Sequence, residues 1–132
     1  MPETVKVETS ASLGVAFANA LAAKDFDAIR ALLHPEVDFR GLTPNRDWEA
    51  SDSDAVIGTV LRQWFEDDDD IEELLKLESD AFADRERVGY RFRIRNADGL
   101  HLVEQQVYIG EVDGRIGWLR SVCSGFRPVV EG

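Results

Sequence analysis

Glu104 and Gln106 stand two residues apart in an alternating run from about Leu100 to Val112. A strand puts such a pair on one face. A carboxylate enclosed by apolar side chains is desolvated, its pKa rises, and it becomes a general acid or base. Gln106 would donate hydrogen bonds beside it, and Tyr90 would add a hydroxyl from the preceding strand. Glu104, Gln106 and Tyr90 are therefore the predicted catalytic set. The same run also permits the opposite face inward, and Glu104 would then face water and pair with Arg93.

Other chemistry-bearing residues have structural explanations. Cys123 lies between Ser121 and Ser124, but no base accompanies it, and a small buried hydrophobe is its expected role. His34 ends a predicted helix, where a cation complements the dipole. His101 sits near a turn and is expected at the surface. Trp48, Trp64 and Trp118 are either pocket walls or core. The run Glu66-Asp67-Asp68-Asp69-Asp70 lacks the sixth-position glycine and the closing glutamate of a calcium loop. It is expected to be a solvated loop.

Composition narrows the functions further. One cysteine and two histidines exclude an internal disulfide and argue against zinc, so no metal and no cofactor are predicted. With 15 Lys+Arg against 26 Asp+Glu the net charge is −11, which weighs against nucleic acid and anionic membranes. Nine of the 26 acids fall between Glu66 and Asp80, so much of that excess sits in one loop and one sheet face. The first residues lack the apolar core of a signal peptide. No apolar run approaches the roughly 20 residues of a membrane helix. A soluble cytoplasmic protein is the expectation.

The elements that must hold these residues follow from periodicity. A length of 132 residues suits one domain, placed over 10–126 between short tails at 1–9 and 127–132. Leu13, Phe17 and Leu21 recur every fourth residue and predict a helix from about Ser10 to Ala23, capped by Ser10 or Ser12. A second helix runs from Asp25 to about Leu33 and stops before Pro35. Val37–Leu42 reads as a short strand and Thr43–Ala50 as a loop. A third helix, capped by Ser51 or Ser53, reaches about Phe65. Then come strands at Ile71–Phe82, Arg87–Arg95, Leu100–Val112 and Arg115–Gly125. Pairing the first two of these places Glu78 near Arg91. Asp113-Gly114 is a hairpin turn. Helices segregated ahead of an antiparallel sheet define an α+β fold.

The turn at Asn96–Leu100 decides which face lines the interior. A two-residue loop, Asp98-Gly99, turns Val103, Gln105, Val107 and Ile109 inward, with Ile116, Trp118, Arg120 and Val122 from the last strand. A three-residue loop, Ala97-Asp98-Gly99, turns Leu102, Glu104, Gln106 and Tyr108 inward, with Leu119, Ser121 and Cys123. Both alternatives stand at this point.

Three segments carry a resemblance: Ala20-Leu21-Ala22-Ala23-Lys24-Asp25-Phe26-Asp27-Ala28-Ile29, His34-Pro35-Glu36-Val37-Asp38-Phe39, and Val112-Asp113-Gly114-Arg115-Ile116-Gly117-Trp118-Leu119-Arg120. Together with the element order they resemble the nuclear transport factor 2-like superfamily, which includes SnoaL-like polyketide cyclases and ketosteroid isomerases. The resemblance implies a cone-shaped domain with an internal pocket for a small, mostly apolar organic molecule. It also implies a homodimer through the outer sheet face; a non-catalytic association or ligand-binding module is the alternative. The implied pocket lining is Phe17, Leu21, Phe39, Trp64, Phe92, Tyr108, Leu119, Ser121 and Cys123. The isomerase roles fall on Phe17, Gly41 and on or beside Gln106. Phe17 has no hydroxyl and Gly41 cannot take a proton, so that mechanism is not expected. Asp38, the nearest carboxylate, points to the other face.

Overall fold

The computed structural model describes residues 12–130; the possible cap Ser10 and the tail 1–9 lie outside them. Helix α1 spans Leu13–Ala22, and the Ser12 side chain caps it by accepting from the Val15 N–H. Helix α2 spans Phe26–Leu32, and Asp25 caps it through the Ala28 N–H. The third helix, α3, has three parts: α-helical over Ser53–Ala55, π-helical over Val56–Leu61 and α-helical over Arg62–Trp64. Its cap is Asp52, which accepts from Ala55 N–H at 2.7 Å, rather than either neighbouring serine. No helix among the described residues is long and apolar enough to cross a membrane.

The strands are β1 (Leu33–Thr43), β2 (Arg46–Ala50), β3 (Asp70–Phe82), β4 (Arg85–Asn96), β5 (Gly99–Val112), β6 (Arg115–Cys123) and β7 (Arg127–Pro128). They form one sheet in the order β2-β1-β6-β5-β4-β3, with β7 on β5. The fold is α+β, and the sheet is mixed, because β1 and β6 run parallel. The expected loop at Thr43–Ala50 is instead a hairpin that lays β2 against β1. Trp48 explains it: its ring meets Trp64 edge-on at 6.0 Å, and its Nε1–H donates to Thr43 Oγ1.

The helices cover the inner sheet face. Phe17, Leu21, Ile29, Ile57 and Leu61 meet Phe39, Tyr90, Phe92, Val107 and Leu119 in one buried cluster. In β3, two register shifts spread the inward positions to Ile71, Leu74 and Leu77. They also place Lys76 opposite Arg91 and Gly89 opposite Glu78, so the expected Glu78–Arg91 pair is not made. Glu86 ties sheet to helix: its carboxylate accepts from Ser12 Oγ and, at 2.9 Å, from the Gly14 N–H. A Cβ on Gly14 would strike that carboxylate at 2.6 Å.

The deciding turn follows the first alternative in its faces. Asn96 pairs with Gly99 across a two-residue loop, Ala97-Asp98. That pairing is slipped by two residues from the first alternative and keeps its faces, so Val103, Gln105, Val107 and Ile109 point inward. The last hairpin then shifts register. Glu111 pairs with Ile116 but Gly110 with Trp118, leaving Gly117 as the extra residue of a bulge. Beyond it the faces exchange, and Leu119, Ser121 and Cys123 turn inward, as in the second alternative.

Candidate functional site

The predicted catalytic set is divided by the sheet. Tyr90 is buried on the inner face. Glu104 and Gln106 alternate with the buried Val103, Gln105 and Val107 and therefore point from the outer face. Glu104 is held there by Arg91, not Arg93, with Nη2 at 2.7 Å and Nε at 3.0 Å from Oε1. The slipped pairing sets Arg91 opposite Glu104 and Arg93 opposite Leu102. The Arg91 hydrogen bonds hold the Glu104 carboxyl below its ordinary 4.5, the reverse of a desolvated acid. Gln106 accepts from Arg87 and donates to Glu104 Oε2. Together Arg91, Glu104, Gln106 and Arg127 line an outer groove of about 470 Å³.

Of the predicted pocket lining, Tyr108 also lies on the outer face. Phe17, Leu21, Phe39, Phe92 and Leu119 are buried in the inner cluster, with Trp64 and Cys123 packed against it. Ser121 is buried and points inward beside them. His101, expected at the surface, is buried on the same face. Its Nδ1 lies 3.2 Å from Gly99 O, and its ring lies 5.9 Å from that of Phe126. Asp69, in the acidic loop, is buried too: it accepts from Glu66 N–H and Asn96 Nδ2.

The residue given no role from sequence is Gln105. It is 1% exposed and lies directly opposite Tyr90, whose hydroxyl donates to its Oε1 at 2.5 Å. Burial pushes the Tyr90 phenol well above its ordinary 10, with a further contribution from Cys123, so it stays a donor near neutral pH. The only sequence sign of Gln105 is a carboxamide in the apolar alternation Val103, Val107, Ile109.

Three buried polar atoms in this region have no hydrogen-bond partner among the described residues: Gln105 Nε2, Ser121 Oγ and Trp64 Nε1. The register brings them together. Gln105 faces Cys123 across β5 and β6, so Ser121 is its diagonal neighbour. Ser121 pairs with Gly41 on the other side. Trp64 lies over Gly41, where a Cβ would come 2.8 Å from Trp64 Cη2. Buried polar groups are almost always satisfied, so three orphans on neighbouring positions set this wall apart from the rest of the core. Hydrogen-bond donors in a dry site polarise a carbonyl or epoxide oxygen.

No protein-family model matches the chain, and no curated protein matches it. Solved structures do. An LEH-like epoxide hydrolase from M. tuberculosis superposes with a TM-score of 0.62 at 19% identity, over 88% of this chain and 84% of that one. A candidate polyketide cyclase from Xanthomonas campestris gives 0.66 at 18% identity, over 83% and 86%. A nuclear transport factor 2-like protein of unknown function from Mesorhizobium loti gives 0.63 at 21% identity, over 89% and 93%. The chain has the nuclear transport factor 2-like fold.

Within that fold, two of the three positions carried over from ketosteroid isomerases lie inside: Phe17 and Gly41 are buried. Gln106 lies outside, and its inward neighbour Gln105 takes the place beside Tyr90. Asp38 is exposed and pairs with Arg120 on the outer face.

Proposed function

We propose that this chain binds a small, mostly apolar organic molecule against the inner face of its sheet, oriented by Gln105, Ser121 and Trp64. The observation that carries this reading is the trio of partnerless buried polar atoms in an otherwise apolar wall. Each orphan costs roughly 1–3 kcal/mol, a cost that a bound polar atom relieves. Binding and polarisation, rather than proton transfer by Glu104, are the chemistry assigned to this wall. The test is a titration of the Trp48→Phe/Trp118→Phe variant with indane-sized aromatic compounds. Trp64 fluorescence is expected to change saturably; a flat response across the panel removes the reading.

A second reading, homodimerisation, is favoured by the outer face. Leu42 (52% exposed) and Val122 (56%) are paired neighbours there. With Tyr108 they floor a groove of about 290 Å³ flanked by Arg40, Arg120, Asp47 and Glu49. Apolar floor and both charge signs on one patch suit a self-complementary, two-fold contact. Sedimentation is expected to show a dimer that Val122→Glu dissociates; a wild-type monomer at micromolar concentration excludes it.

A further inference from the structure

We propose that Tyr90 is a positioning residue that fixes the Gln105 carboxamide so that the inner site offers two fixed hydrogen-bond donors and one rotatable hydroxyl, favouring ligands whose polar atom is an uncharged acceptor. The inference rests on the reading above, that a small molecule occupies this wall, and adds which chemistry it carries.

A glutamine side chain is ambiguous by itself, with an acceptor oxygen and a donor nitrogen on the same carbon. Tyr90 removes the ambiguity. Its buried hydroxyl has one proton and donates it to Gln105 Oε1. The oxygen is thereby turned toward β4, and Nε2 is left to the site. Reversing the amide would strand the hydroxyl proton and expose an acceptor. The second group, Trp64 Nε1, is a donor with no acceptor capacity. The third, Ser121 Oγ, is a hydroxyl that rotates to donate or to accept.

The surroundings decide the charge. Phe39, Phe92, Val107, Leu119 and Cys123 border these groups on the inner face, and none of them carries a cation. An anionic ligand would satisfy the donors but lose its hydration without a counter-charge. A ligand whose polar atom only donates would face two fixed donors and find an acceptor in Ser121 Oγ alone. A ketone, ester or epoxide oxygen accepts from them and carries no charge.

Three ring systems of nearly the same shape separate the terms: 1-indanone (acceptor), indane (neither) and indole (donor). Calorimetric titration of the whole chain is expected to give 1-indanone at least about tenfold tighter than indane, and indole weaker than 1-indanone. In Tyr90→Phe the amide is free to turn, so the 1-indanone to indole ratio falls toward one while indane is unchanged. A ratio that survives Tyr90→Phe overturns the positioning role. Should that variant not fold, Trp64→Phe and Ser121→Ala replace it, and each is expected to lower the preference of 1-indanone over indane. Full preference in both overturns the inference. Equal binding of indane and 1-indanone by the wild type overturns the acceptor preference but leaves the pocket standing. No binding of any of the three overturns both.

Discussion

Gly117 and Val112 leave no room between them: a Cβ on Gly117 would lie 2.3 Å from Val112 Cγ2. Gly117 is the residue that shifts the β5–β6 pairing. The contact thus sits at the point where Leu119 and Ser121, rather than Trp118 and Arg120, become inward-facing.

Gly117→Ala is expected to destabilise the chain by about 1–3 kcal/mol, the usual cost of overpacking. The double variant Gly117→Ala/Val112→Ala should recover much of that loss. Urea denaturation of the four members of the cycle measures the coupling; additive losses would show that the contact is not the cause.

Ser121→Ala is expected to raise stability, by about 1 kcal/mol, because it removes a buried hydroxyl without a partner. A stability loss of similar size would mean that the hydroxyl is satisfied in solution. The stabilising direction, together with a weaker hold on 1-indanone, is the trade expected of a group kept for ligand rather than for fold.

Glu104→Gln tests the outer pair with Arg91. Both side chains are more than a third exposed, so the pair contributes under about 1 kcal/mol at neutral pH. The folded-state pKa of Glu104 is lowered. Its contribution is therefore present above the ordinary glutamate value of 4.5 and lost as the pH falls through the lower folded value. The stability difference between wild type and variant should shrink on acidification below that point. A difference that grows in acid contradicts the assignment.

Tyr90 works in the opposite pH range. Its pKa is raised by burial, so its stabilising contribution is complete below its ordinary 10 and declines as the pH rises from there through the folded value. Alkaline denaturation of Tyr90→Phe should begin at higher pH than that of the wild type. Coincident transitions would show that Tyr90 ionises freely in the folded chain.

Much of the fold was legible because its signals are local. Val88, Tyr90, Phe92 and Ile94 alternate strictly and all four are buried. Asp25 caps its helix as expected, and Asp113-Gly114 makes the turn, both residues with positive φ. The site was legible only in part, because its membership is set by pairing between distant residues. The slip that gives Glu104 to Arg91 leaves the pattern of β5 unchanged, and so does the extra residue at Gly117. Strand β2 carries one large apolar residue, Trp48, and owes its form to β1. His101 is covered in part by Phe126, at the far end of the chain's last hairpin. Gln105 looked like any polar residue in a strand until its partner across the sheet was known.

The π-helical stretch Val56–Leu61 has a consequence for how such a chain can change over generations. Its ring of hydrogen bonds holds one residue more per turn than an α-helix does. Deleting an exposed residue there, Gly58 or Thr59, would return α3 to α-helical form and keep the buried Val56, Ile57, Val60 and Leu61. Because the wider turn absorbs the extra residue, the segment after it, with Trp64 over Gly41, keeps its facing. Relatives that differ by a single-residue gap at this place would keep both the architecture and the inward-facing residues, so α3 is where the chain can change in length without changing the wall it lays on the sheet.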